Sequence, residues 1–188
     1  HEIEQFVPKE YWSIGSNFNN KDNKVILSKL IYYNGNKVEK FSFSNKEDAQ
    51  KATEDGIETI NDFFSHNLAI KLRNEHGPAN YITSHNACAH IDNLLDVIKG
   101  VACWLDESGV FVLEVGYLVD VYTNTWFDTI YHEHLDFHTV APFEKLFERA
   151  NMEVIGVDRI SPQGGSIRVI AQKINGKFQR DDSVDELI

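Results

Sequence analysis

Apolar positions fall without a steady period in the first third of the chain and settle into a regular alternation of segments after it. Residues 15 to 24 are polar and Asn-rich and read as a loop. Val25-Ile26-Leu27 and Leu30-Ile31-Tyr32-Tyr33 form a short apolar segment whose spacing selects neither helix nor strand, and Asn34-Gly35-Asn36 marks a turn. Val38, Phe41 and Phe43 suggest a strand. Ser44 followed by Glu47 has the form of a capping box and predicts a helix to about Glu54, stopped by Gly56. Ile57 to Ile60 reads as a short strand, with Asn61 or Asp62 capping a helix through Glu75.

From Asn80 onward the pattern predicts strand Tyr81-Ile82-Thr83, a helix from Asp92 to Trp104, a turn at Asp106-Glu107-Ser108-Gly109 and a strand from Val110 to Val115. A helix from Pro142 to Ala150, a strand from Glu153 to Asp158, a Gly164-Gly165 turn and a strand from Ile167 to Ala171 follow, and Arg180 to Ile188 begins another helix. Strands alternating with helices predict an α/β fold with a mostly parallel, covered sheet. The last two strands, joined through Gly-Gly, predict an antiparallel edge. At 188 residues and 42% hydrophobic content the chain is expected to bury one core.

A net charge of -11 argues against a nucleic-acid surface or an anionic membrane, either of which the average field would repel. Cys88 and Cys103 form no CxxC pair, which fits a reducing compartment, so a cytoplasmic location is expected. The first residues, His1-Glu2-Ile3-Glu4-Gln5, lack the basic and apolar regions of a secretory leader, and no run of about 18 apolar residues occurs.

The densest chemistry lies at Phe127-Asp128-Thr129-Ile130-Tyr131-His132-Glu133-His134, soon after the apolar strand that ends at Val115. Tyr, His and Glu are side chains that take or give protons near neutral pH once burial shifts them. A sheet of this class presents ligands at the carboxyl ends of its strands. The alternative chemistry is a metal-dependent hydrolase using His132, His134 and His138 with Asp136, but their spacing is loose, so no metal is assigned.

Several blocks carry a resemblance. Asn86-Ala87-Cys88-Ala89-His90 with Asp92, then Gly109 to Val115 with Tyr117-Leu118, then FDTIYHEH, then Gly164-Gly165-Ser166-Ile167-Arg168-Val169 resemble the core of the S-adenosylmethionine-dependent sugar C-methyltransferases. These blocks fall between about Lys51 and Lys173 in the order the family shows. The resemblance implies a Rossmann-like methyltransferase sheet and methyl transfer from S-adenosylmethionine to a carbon of a nucleotide-linked keto-deoxysugar through a base-generated enolate. It implies His134 as the base, with Tyr131 as the runner-up or as enolate donor, Glu133 orienting an imidazole or binding a sugar hydroxyl, and His90 in the active site. Gly15, Asn17, Asp62 and Asn86 fall at donor-binding positions. His132, Gly164, Gly165 and Ser166 fall where the sugar is expected.

The chain then divides into a divergent part (1–50), a methyltransferase core (51–175) and a C-terminal tail (176–188). The pattern departs from the family at Phe18-Asn19, where Asp-Gly is usual, and at Phe43, where an acidic residue would hold the ribose. Those departures support the alternative of an impaired relative that binds sugar nucleotide without the methyl donor. No cysteine-rich segment precedes the core in this sequence, and a homo-oligomer or partner chain is expected to complete the site.

Overall fold

The computed structural model of the chain describes residues 10–16, 25–31, 50, 54, 59–60, 62–131 and 134–188. Asn17, Phe18, Asn19, the 34–36 turn, the strand expected near 38–43, His132 and Glu133 lie outside the described residues. Of the helix expected from Ser44, Gln50 and Glu54 are described and helical, and Gln50 Nε2 donates to Glu54 Oε1 at 3.0 Å.

The described residues form one seven-stranded sheet. Its strands are β1 (Glu10–Ser16), β2 (Val25–Ile31), β3 (Thr59–Ile60), β4 (Ala79–His85), β5 (Leu105–Gly116), β6 (Met152–Ile160) and β7 (Ser166–Lys173), in the order β3-β2-β1-β4-β5-β7-β6. β1, β4 and β5 pair in parallel at the centre. β7 enters antiparallel between β5 and β6, which makes the antiparallel edge that the Gly-Gly turn announces. β2 also runs antiparallel to both β1 and β3. Five strands therefore share one direction, and β2 and β7 oppose it. This reversal of β2 is the feature that periodicity did not reveal.

Helices α1 (His66–His76), α2 (Leu94–Trp104), α3 (Leu118–Thr123), α4 (Val140–Glu148) and α5 (Ser183–Glu186) complete the described elements, with short 3-10 turns at Cys88–His90, Phe127–Thr129 and Pro162–Gly164. The larger core joins the inner stripes of α1, α2 and α4 to one face of the sheet, through Leu72, Ile98, Phe143, Ile82, Leu113 and Val169. A smaller cluster of Tyr81, Val110, Val112, Ile155 and Ile170 lies on the other face, with Phe178 packed against it. Because β5 is buried on both faces, Val110 to Leu113 reads as a continuous apolar run rather than an alternation, with Glu114 the one polar residue before Val115.

Two of the boundaries that differ from those the pattern predicts have a visible physical cause. α1 begins four residues later than Asp62, because Phe64 is drawn into the core against Trp104, at 6.3 Å between ring centroids, and Ser65 is the actual cap, its Oγ accepting from Leu68 N at 3.2 Å. Asp106 to Gly109 is not a separate turn: it is the irregular beginning of β5, where Asp106 Oδ1 accepts from Ser108 N at 2.9 Å and the register against β4 shifts. Trp104 is fully buried and its indole N–H donates to Gly77 O at 3.0 Å, which ties the end of α2 to the turn that starts β4. Arg73 Nη1 donates to Cys103 O at 2.8 Å and to Leu105 O at 3.1 Å, satisfying carbonyls at the end of α2.

Candidate active site

A cavity of about 280 Å³ opens at the carboxyl ends of β4 and β5. Asn86, His90, Gly116, Tyr131, His134 and Gly165 contribute to its lining. Three segments distant in sequence meet there because each leaves the same end of the sheet or is anchored to one that does. Asn86 follows β4 with φ 50°, a left-handed conformation that Asn tolerates, and its N–H donates to Glu114 O at 2.8 Å. Leu135 N and Asp136 N both donate to Ala89 O, at 2.8 and 3.3 Å, which fastens the chain after His134 to the turn that carries His90.

The hydrogen bonds of His134 fix its tautomer. Nδ1 lies 2.8 Å from Thr129 O, a carbonyl that can only accept, so Nδ1 carries the hydrogen. The neutral ring then presents a lone pair at Nε2, and the Tyr131 hydroxyl donates to it at 3.1 Å. The His90 ring stands 4.8 Å from that of His134, and Phe137 meets His134 edge-on at 5.8 Å. A basic nitrogen, a hydroxyl donor and a second imidazole therefore share one partly apolar cavity. Such a set can take a proton from carbon and hydrogen-bond the oxygen anion that results.

The Gly164-Gly165-Ser166 turn plays a different part from the open backbone contact its glycines suggested. A Cβ on Gly164 would fall on the Trp126 indole, and one on Gly165 would fall on the Asp120 carboxylate, so protein side chains already fill both spaces. Asp120 is in turn paired with Arg159. Gly165 and Gln163 line the cavity. Gly164 and Ser166 do not: Ser166 is buried and its Oγ donates to Pro162 O at 3.0 Å.

His138 stands apart from His134. It stacks on Phe143 at 4.6 Å, and its Nε2 is buried with no hydrogen-bond partner among the described residues. Burial holds its pKa below the usual imidazole range, against opposing effects from Asp136 and the Cys88 backbone. Among the described residues no group of three His, Cys, Asp or Glu side chains could hold a metal ion, so the described members of the hydrolase set, His134, Asp136 and His138, do not converge. The neutral state of His138 also carries a pH prediction. Its folded pKa is depressed, so its contribution to stability is complete above the unfolded value of about 6.5 and is lost as pH falls from there toward the folded value. A His138→Gln variant should melt with a shallower pH dependence than the parent below pH ~6.5, measured by circular dichroism.

The sequence reading gave no ligand role to Glu114, which is 7% exposed yet charged. His85 first, and then Arg168, hold its carboxyl below the usual carboxylate range against the cost of burial. Arg168 Nε donates to Glu114 Oε2 at 3.0 Å, and His85 Nδ1 lies 3.7 Å from the same oxygen. The signal was present: a Glu inside Val-Leu-Glu-Val must find partners across the sheet, and register places His85 on one side and Arg168 on the other. Trp126, Asp120 and Gln163 were also missed, since nothing in local spacing brings them to the Gly-Gly turn.

Sheet order reverses between β1 and β4, and the crevice at the carboxyl ends of those strands is where α/β sheets of this type bind ligands. Gly15 lies there in register with His85, and Asn86 follows directly. Asp62 follows β3, which points the same way, and its exposed carboxyl accepts from Phe63 N at 2.8 Å. At the end of β5, Gly116 lines the cavity and a Cβ there would meet nothing within 4 Å. Gly15, Asp62 and Asn86 therefore stand at the same end of the sheet as the cavity that holds His134. β2 runs antiparallel to β1, so its own carboxyl end lies at the opposite end of the sheet.

A family model for a methyltransferase domain matches residues 3–157. The chain is 32% identical over 137 residues to the C-methyltransferase NovU of Streptomyces niveus, a match that covers 73% of this chain and 33% of that protein. The chain therefore spans about one third of the length of that relative. A shorter similarity, 43% over 53 residues, covers 28% of the chain and 7% of DNA topoisomerase 1 of Rickettsia felis. Among solved structures, a methyltransferase of Anabaena variabilis shows a TM-score of 0.44 at 15% identity, covering 58% of this chain and 55% of that one. No helix among the described residues is long and apolar enough to cross a membrane. With most of its length matched by the domain model, the chain belongs to the methyltransferase-domain family whose methyl donor is S-adenosylmethionine.

Proposed function

We propose that this chain is the methyltransferase core of an enzyme that methylates carbon next to the ketone of a nucleotide-linked deoxysugar. The observation that carries the reading is the Tyr131–His134 pair, with the basic Nε2 of His134 inside a sugar-sized cavity at the ligand end of the sheet. The similarity to NovU, named a C-methyltransferase, supports carbon as the acceptor, and the FDTIYHEH and GGS blocks support the sugar.

In this reading His134 Nε2 removes the proton alpha to the ketone, and the C–H electron pair moves into the enolate. Tyr131 exchanges its hydrogen bond from His134 to the enolate oxygen. His90 supports His134 from the far side of the cavity, while His132, Glu133 and Gly165 contact the sugar. Gly15, Asn17, Asp62 and Asn86 would hold S-adenosylmethionine, which when bound supplies an electrophilic methyl group. Leu118, Tyr122, Phe127, Ile130, Leu135 and Phe137 are exposed apolar residues of the segments that carry the cavity-lining Val121, Asp128, Tyr131 and His134. That apolar set supports a partner surface, on a second copy or a further chain, closing over the acceptor.

Exchange of the sugar's alpha proton for solvent deuterium, followed by NMR, tests the proposal without requiring turnover. The wild-type chain should catalyse exchange that His134→Ala abolishes. Equal exchange by both proteins would remove His134 from the role of base. Calorimetry with S-adenosylmethionine tests the donor side separately.

A further inference from the structure

We infer that the chain carries a second ligand site, for a phosphate group, in a cavity beside α2 lined by Lys99, Arg149 and Lys173. The inference goes beyond the methyl-transfer reading and uses none of the residues that reading assigns.

The place is built by the fold. A cavity of about 430 Å³ lies between α2, the start of α1 and the turn that follows α4. Lys99 and Cys103, four residues apart, share one face of α2. The start of α1 is pressed on the same helix: a Cβ on Gly100 would meet Ser65 O at 3.1 Å and His66 N at 3.2 Å, which brings His66 to the cavity wall. Asn151 O accepts from Ile174 N at 3.1 Å, so the turn that carries Arg149 is fastened to the end of β7 that carries Lys173. Lys173 is in register with Met152 at the start of β6, and this is the opposite end of the sheet from the cavity that holds His134.

Charge selects the ligand. The chain holds 29 Asp and Glu residues against 18 Lys and Arg, so a cation readily finds a partner. Among the described residues from Lys71 onward, the side chains of Lys71, Lys99 and Arg149 are the Lys and Arg side chains without an ion pair, hydrogen bond or ring contact, and two of those three line this cavity. No described carboxylate lines it. Those nearby are turned elsewhere: Asp96 Oδ2 accepts from His66 N at 3.1 Å, and Asp106 Oδ1 accepts from Ser108 N and Oγ at 2.9 and 2.8 Å. Lys173 does pair with Glu107 at 2.6 Å, but Glu107 is 82% exposed, and so exposed a pair yields to a stronger anion at little cost.

Uncompensated positive charge in a concave site on an acidic protein favours an anion. Arg149 offers a planar fork that matches two oxygens of one phosphate, and Lys99 and Lys173 offer point charges to the remaining oxygens. A phosphate dianion balances the two unpaired cations, whereas a single carboxylate does not. No Phe, Tyr or Trp among the described residues lines the cavity, so there is no ring on which a base would stack, and free phosphate and a nucleotide are expected to bind alike.

Cys103 reports on the site, because it lines the cavity and the other cysteine, Cys88, is 1% exposed. The test follows alkylation of Cys103 by iodoacetamide in the 188-residue chain, by mass spectrometry at constant ionic strength, with increasing inorganic phosphate or adenosine monophosphate. Both compounds should slow alkylation saturably. Lys99→Gln and Arg149→Gln should each raise the midpoint by about 10-fold, the size of one lost hydrogen bond to a charged group. Lys71→Gln removes an equal charge outside the cavity and should leave the midpoint unchanged, as should His134→Ala, so this site and the acceptor reading fail separately. Equal midpoints for the two compounds would support recognition of the phosphate group itself, and a lower one for the nucleotide would support the site with a nucleotide as the source of that phosphate. Absence of saturable protection by either compound, or the same loss in Lys71→Gln as in Arg149→Gln, would overturn the assignment.

Discussion

Replacing His134 by Ala is expected to lower turnover by about 10²- to 10⁴-fold, the range for losing a general base, while the affinity for S-adenosylmethionine and the melting temperature stay near wild type. That loss corresponds to roughly 3–5 kcal/mol of transition-state stabilisation. The separation of effects follows from geometry. His134 is only half-buried, and its bonds are to Thr129 O and the Tyr131 hydroxyl, neither of which belongs to the core. Tyr131→Phe removes the hydroxyl that would meet the enolate but leaves the Nδ1–H of His134 on Thr129 O. It should therefore keep measurable proton exchange while slowing methyl transfer. If His134→Ala retained exchange and Tyr131→Phe abolished it, the roles would be reversed and the phenol would be the base. Single-turnover kinetics with chemistry resolved from binding make this comparison, because KM alone mixes the two steps.

How much of this was legible in the sequence depends on the range over which each signal acts. Most strands and helices after Asn80 were readable because each is a local pattern, an apolar run bounded by turn residues or an apolar stripe at helical spacing; α3 (Leu118–Thr123) is the exception, a helix that no part of the pattern predicts. Ser65 displaced Asp62 as the cap of α1 because burying Phe64 outweighs a slightly longer helix, and a local reading cannot weigh that. The reversal of β2 depends on pairing with β1 and β3, a long-range choice that Val25-Ile26-Leu27 does not encode in its own spacing.

At the site the same division holds. Tyr131 and His134 were found together because they are three residues apart in sequence, and His90 because it sits in a motif. The convergence of His90 with His134 depends on Ala89 O accepting from two later amides, which no spacing predicts. Gly164 and Gly165 were singled out as glycines for close approach, and Trp126 and Asp120 occupy the spaces their side chains would take, while Gly165 still lines the cavity.

That correction leads to the second large effect, at Gly164. Its φ is 80°, and a side chain there would collide with the Trp126 indole. Gly164→Ala is expected to cost about 1–2 kcal/mol for the left-handed backbone and a further ~1–3 kcal/mol for overpacking. The consequence for activity should be larger than for folding, because Trp126 is one link in a short chain of contacts. Trp126 O accepts from Thr129 Oγ1 at 2.8 Å, and Thr129 O in turn accepts from His134 Nδ1 at 2.8 Å. Moving the indole shifts the carbonyl that fixes the tautomer and direction of the base, and a displacement of about 1 Å at a reacting group can cost ~100-fold in rate. Trp126→Ala removes the obstacle, so in the double variant the clash disappears and only the backbone strain remains. The double variant should then be more stable than the sum of the two single losses predicts, by about 1–3 kcal/mol, and should regain part of the proton-exchange activity lost in Gly164→Ala. Denaturant midpoints and deuterium exchange on all four proteins give the cycle. Strict additivity in both measurements would mean that Gly164 and Trp126 do not act on His134 through each other, and that the Gly-Gly turn matters to the site only as a turn.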